Sequence, residues 1–83
     1  MTFTAEIDIM PHEGLLDPQG KTVKNNMKNL NLNGIEDVRM GKHVRMTLEA
    51  KNEAEAREKV DTACKNLLAN MIMESYTFEL TKQ

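Results

Sequence analysis

The stretch Ile35-Glu36-Asp37-Val38-Arg39-Met40-Gly41-Lys42-His43-Val44-Arg45-Met46-Thr47-Leu48-Glu49-Ala50 decides the fold. Val38 and Met40 share one parity before Gly41-Lys42, and Val44, Met46 and Leu48 share one after it. Asp37, Arg39, His43, Arg45, Thr47 and Glu49 fall on the opposite, polar side. Period-two alternation on both sides of a two-residue break reads as two half-buried strands joined by a tight hairpin.

Working outward, Thr2 to Met10 alternates in the same way. Phe3, Ala5, Ile7 and Ile9 oppose Thr2, Thr4, Glu6 and Asp8, until Pro11 and Gly14 end the run. Asp17-Pro18 starts a helix, because the carboxylate can accept unpaired first-turn N–H groups and Pro18 needs no donor there. Val23, Met27 and Leu30 form its apolar stripe, and Asn31 and Asn33-Gly34 close it. Gly20, inside the first turn, lowers helix propensity, so something is expected to approach it closely. After Ala50, Asn52 and Glu55 have capping-box spacing, and Ala56, Val60, Ala63, Cys64 and Leu67 make a second helical stripe running to about Ala69. Asn70 is expected to close that helix in the left-handed conformation. Tyr76, Phe78 and Leu80 alternate with Ser75, Thr77 and Glu79 as a last strand. The order β-α-β-β-α-β predicts an α+β two-layer sandwich of the ferredoxin-like kind. It would have a four-stranded antiparallel sheet with two helices on one face, in a single domain spanning 1–83.

A chain of 83 residues buries a small core. With Cys64 as the only cysteine it has no disulfide to reinforce that core, so self-association is expected. The 13 acidic and 11 basic residues are interleaved, which argues against nucleic-acid binding. No apolar run approaches the roughly 20 residues that span a bilayer. An alternating, charged N-terminus does not read as an export signal. With a free cysteine and seven methionines, these features fit a reducing cytoplasm.

Few groups suggest chemistry. Cys64 sits between Val60 and Leu67 on the helical stripe, the place of a small buried hydrophobe rather than an activated thiol. His12 and His43 lie in a loop and on a polar strand face, without a second histidine at metal-site spacing. Glu6 with Asp8, and Glu53 with Glu55, have ordinary structural explanations as strand-face and helix-dipole residues. Gly14 and Gly20 lack the Lys-Ser/Thr ending of a phosphate loop. The aromatics Phe3, Tyr76 and Phe78 read as core residues on edge or outer strands rather than as a base-stacking platform. No catalytic, cofactor or metal site is expected in the chain.

Two stretches resemble a known family. Leu16-Asp17-Pro18-Gln19-Gly20-Lys21 opens the first helix, and Val38-Arg39-Met40-Gly41-Lys42 follows Glu36-Asp37. A looser likeness runs from Glu55-Ala56-Arg57-Glu58-Lys59-Val60 through Leu67-Leu68-Ala69-Asn70 to Glu74-Ser75-Tyr76. Together they are similar to the small subunit of phosphoribosylformylglycinamidine synthase, the PurS family. The family usually has a proline after Leu-Leu-Ala-Asn, where this chain has Met71-Ile72-Met73.

The resemblance implies a non-catalytic adaptor in purine biosynthesis, dimeric or tetrameric. It would dock a glutaminase subunit onto a large synthetase subunit that holds ATP and Mg²⁺, and assist ammonia transfer between them. Asp17, Gln19, Arg39 and Lys42 are the candidate partner-interface residues. Of these, Asp17 also has a local task as a helix cap, whereas a hairpin has no need of the charges of Arg39 and Lys42. A free-standing ferredoxin-like regulatory or ligand-binding dimer is the second reading. A small enzyme with its pocket built across protomers is the third.

Overall fold

Strict alternation puts Phe3, Ala5, Ile7 and Ile9 of the first strand on one side, and that strand becomes the centre of the sheet. The computed structural model describes residues 1–83. Strand β1 (Thr2–Pro11) leads to helix α1 (Pro18–Met27), which tightens into a 3₁₀ turn at Lys28–Leu30. Strand β2 (Lys42–Glu49), helix α2 (Glu53–Ala63) with a π-helical turn at Cys64–Leu68, and strand β3 (Glu74–Lys82) complete the chain. The sheet order is β2-β1-β3, antiparallel throughout.

Ile7 lies opposite Val44 on one side and Phe78 on the other, and Ala5 opposite Met46 and Leu80. Phe3, Ala5, Ile7 and Ile9 are therefore buried, and Ala56, Val60 and Cys64 of α2 close over them. Fully burying a side chain such as Ile7, Ile9 or Val60 contributes about 1.5–3 kcal/mol. Only 10 of 83 residues are buried, so this narrow seam carries most of the fold. Tyr76 adds a polar tie by donating its hydroxyl hydrogen to Asp61 of α2. That bond pushes the Tyr76 phenol up to about 12 and holds the Asp61 carboxyl below its usual range.

The predicted fourth strand does not form, and the sheet has three strands instead of four. In Ile35–Met40 the Met40 N–H and the Glu36 carbonyl bond outside any ladder, and the segment packs on the start of α1. The Met40 N–H donates to the Asp17 carboxylate at 2.7 Å, and the Val38 carbonyl lies against Gly20. Gly41 is not the turn of a hairpin. A Cβ there would fall 2.4 Å from the Ile9 carbonyl oxygen and 2.2 Å from the Met10 sulfur, so glycine is needed for close approach to β1.

The helix layer also differs from the ferredoxin-like expectation. Helix α2 covers the sheet, but no α1 side chain joins the buried clusters or packs against them. The chain is correspondingly elongated. Its longest dimension is 51 Å and its radius of gyration 16.4 Å, against about 12 Å for a compact globule of this length.

Three local expectations change as well. Phe3 sits on the central strand, not an outer one. The π-helical turn rotates the stripe by one position, so Leu67 is 81 % exposed and Leu68 packs on the core in its place. Asn70 does not adopt the left-handed conformation; the positive φ values belong to Asn31 (59°) and Gly34 (84°). Helix α2 ends instead on an extended Ala69. Asn70 then closes a turn, its side chain accepting from the Ile72 N–H and its carbonyl from those of Met73 and Glu74.

Candidate functional site

The predicted interface residues gather where α1 leaves the sheet, and the chain itself uses two of them. Asp17 caps α1 as its residue type demands, one carboxylate oxygen accepting the Gly20 N–H at 3.1 Å. The other oxygen accepts the Met40 N–H, so one side chain joins the helix start to the returning segment 35–41. These two N–H donors, with Arg39 nearby, hold the Asp17 carboxyl below the usual aspartate range. Gly20 makes the junction possible, since a Cβ there would come 2.1 Å from the Val38 carbonyl oxygen. Lys24, one turn further on, reaches back to the Glu36 carbonyl at 2.6 Å.

Arg39 completes the junction from the other side. Its guanidinium donates to the carbonyls of Leu15 and Glu13, both at 2.6 Å, and to that of His12 at 3.4 Å. The planar fork suits several carbonyls at once, which a lysine could not match. The loop after β1 is fastened further by the His12 N–H, which donates to the Met73 carbonyl. A groove of about 780 Å³ borders this loop, with Met10, Glu13, Asp37 and Ser75 among its walls. It is open, and its one arginine is already bonded within the chain.

Gln19 and Lys42 behave differently. Gln19 is exposed on the first turn of α1. Lys42 is exposed at the start of β2, its ammonium 3.9 Å from the Glu74 carboxylate. A pair so long and so exposed holds Lys42 weakly and leaves it free to meet another surface. The structure thus brings Asp17 and Arg39 together as an internal latch and leaves Gln19 and Lys42 facing outward. The latch partners Gly20, Val38 and Lys24 escaped sequence reasoning as site residues. Only the unfavourable glycine in the first helical turn hinted at them.

The groups weighed for catalysis are likewise engaged. Burial, then the nearby Asp61 carboxylate, pushes the Cys64 thiol up, away from the reactive thiolate. His43 lies between Asp8 and Glu6, and Glu6 also accepts from Arg45 at 2.6 Å. No helix is long and apolar enough to cross a membrane.

Compared with known proteins, residues 4–82 match the family model described as PurS, phosphoribosylformylglycinamidine (FGAM) synthase. The chain belongs to the PurS family. Among relatives, the phosphoribosylformylglycinamidine synthase subunit PurS of Synechocystis is 39 % identical over 80 residues, covering 96 % of this chain and 80 % of that one. Bacillus subtilis PurS, in a crystal structure, superposes with a TM-score of 0.86 at 31 % identity, over 96 % of this chain and 99 % of that one. A chain of the PurLQS structure from Thermotoga maritima gives a TM-score of 0.88 at 28 % identity, covering 98 % of this chain and 99 % of its counterpart. Coverage this complete takes in the α1 arm as well as the sheet, so the elongated outline belongs to the PurS fold.

Proposed function

We propose that this PurS-family chain is a non-catalytic adaptor subunit of phosphoribosylformylglycinamidine synthase in purine biosynthesis. In this reading it docks the glutaminase subunit to the large synthetase subunit. That assembly converts formylglycinamide ribonucleotide, glutamine and ATP into formylglycinamidine ribonucleotide, glutamate, ADP and phosphate. ATP and Mg²⁺ belong to the large subunit, the chain carries no cofactor, and the assembly is cytoplasmic.

The observation that carries the proposal is the match along nearly the whole chain to a component of the PurLQS structure. The side-chain chemistry supports it. Nucleophilic catalysis needs an activated group beside a base, whereas Cys64 is buried with a raised pKa, and His43 and Arg39 are engaged within the chain. Ammonia released into bulk water is lost by protonation and dilution. Holding source and consumer in register is therefore useful work for a protein with no reactive group, and it requires surface and rigidity. Self-association into a dimer or tetramer fits the α1 stripe, which joins no core cluster and leaves Leu30 exposed.

Reconstitution tests the adaptor role. Adding the chain to the synthetase and glutaminase subunits should switch on glutamine-dependent product formation while leaving ammonia-dependent synthesis by the large subunit intact. Equal glutamine-dependent rates with and without the chain would refute it. Calorimetry of the isolated chain against nucleotides, glutamine and amino acids should give no heat of binding. A saturable signal there favours the regulatory-module reading.

A further inference from the structure

The polar face of the sheet holds an arrangement that the adaptor role does not use. His43 on β2 stands directly opposite Asp8 of β1 and diagonal to Glu6. Its Nδ1 lies 2.7 Å from an Asp8 carboxylate oxygen and its Nε2 2.5 Å from a Glu6 oxygen. A neutral imidazole has one N–H and one lone pair, so it can donate to only one of these carboxylates. The other nitrogen would then point a lone pair at a negatively charged oxygen. Both contacts are attractive only when both ring nitrogens carry hydrogen.

We propose that His43 is a proton-dependent clamp: as an imidazolium it ties the edge strand β2 to two carboxylates of the central strand, and on losing its proton it releases one of them and loosens that edge.

The surroundings sharpen the effect. On β1 the facing charged groups are Glu6 and Asp8. On β2 Arg45 donates to the second oxygen of Glu6 at 2.6 Å. On β3 Thr77 lies opposite Asp8, and Glu79 lies opposite Glu6. Helix α2 packs on the other face and adds no charge here. Carboxylates directly opposite each other destabilise a sheet. With His43 charged, Glu6, Asp8 and Glu79 face two cations; with His43 neutral, they face Arg45 alone. Strand β2 has no neighbour on its outer side within the chain, so β1 contacts are what hold it.

Hydrogen bonds to Asp8 and then Glu6 raise the His43 pKa, and His43 and Arg45 together lower that of Glu6. For a histidine whose folded value lies above its unfolded one, the stabilisation is complete below the unfolded value. It disappears as pH rises through the folded value. The clamp therefore closes on the acid side and opens as the imidazolium is lost.

The test uses the full chain. Histidine ¹⁵N NMR should show His43 protonated at both nitrogens on the acid side, with a titration midpoint above that of a free histidine. The double variant Glu6→Gln with Asp8→Asn should bring that midpoint down. In urea, wild type should be more resistant than His43→Gln at acid pH, and the two curves should converge as pH rises. A wild-type midpoint no higher than free histidine, or wild-type and His43→Gln stabilities that run parallel across the range, would overturn the proposal.

Discussion

Gly20 is the residue on which the junction between α1 and segment 35–41 turns. Its missing Cβ would otherwise lie 2.1 Å from backbone, which cannot move aside as a flexible side chain can. Gly20→Ala should therefore destabilise by about 1–3 kcal/mol, the usual cost of overpacking, despite the better helix propensity of alanine. Gly14→Ala is the control, because nothing lies within 4 Å of its added carbon. Urea denaturation of the two variants measures the contrast. Arg39 belongs to the same junction: losing its charged hydrogen bonds to the Leu15, Glu13 and His12 carbonyls should cost about 1.5–3 kcal/mol in Arg39→Ala. Reversing the charges of Arg39 and Lys42 together would then confuse a folding defect with a docking defect. Lys42→Glu alone, with Gln19→Ala, examines the outward surface cleanly, and both should fold as wild type does. Asp17 adds a pH signature. Its folded pKa is depressed, so its contribution is present above the ordinary aspartate value and is lost as pH falls through the folded one. Asp17→Asn should flatten the acid limb of the stability profile in urea titrations from neutral to acid pH.

At the scale of elements, the end of α2 offers the sharpest check. The π-helical turn exchanges Leu67 for Leu68 at the core, so Leu68→Ala should cost about 2 kcal/mol, toward the lower end of buried leucine truncations. Leu67→Ala should stay within about 0.5 kcal/mol in the isolated chain, as exposed sites do. Thermal unfolding of both variants reads the difference, and equal losses would mean the stripe keeps its regular period. The same turn shows why part of the fold was legible in sequence and part was not. Periodicity located β1, β2, β3 and the starts of both helices, because side-chain alternation and capping are written in residue types. It placed Leu67 inward because a one-residue slip of the helix leaves no mark on composition. It also took Ile35 to Met40 for a strand, since Val38 and Met40 alternate correctly. Whether an N–H joins a ladder or an aspartate is decided by what lies nearby in space. The candidate site divides in the same way. Asp17 could be read as a cap, but Arg39 looked free for a partner because its acceptors are backbone carbonyls, which no sequence displays.

At the scale of the whole molecule, the elongated shape and the thin core are one fact seen twice. Helix α1 has the stripe of a helix that packs, with Val23, Met27 and Leu30 on one side, yet the sheet gives it no seat. Leu30 is 69 % exposed and Leu16 75 %, and neither a short core nor a cap accounts for keeping such residues wet. The junction that fixes the arm (Asp17, Gly20, Lys24 and Arg39) holds it in a set direction rather than leaving it loose. A rigid arm whose apolar stripe is half-buried at Val23 and Met27 and exposed at Leu30 offers a face that a second surface can cover. Val23→Asp with Met27→Asp should therefore leave the far-ultraviolet circular dichroism nearly unchanged, because neither residue touches the core. Losing two buried apolar contacts of about 1.5 kcal/mol each should weaken self-association by about a hundred-fold. Sedimentation equilibrium would show this as a shift to monomer at concentrations where wild type is assembled. Undiminished assembly by a folded double variant would move the covering surface to the open strand edges of β2 and β3.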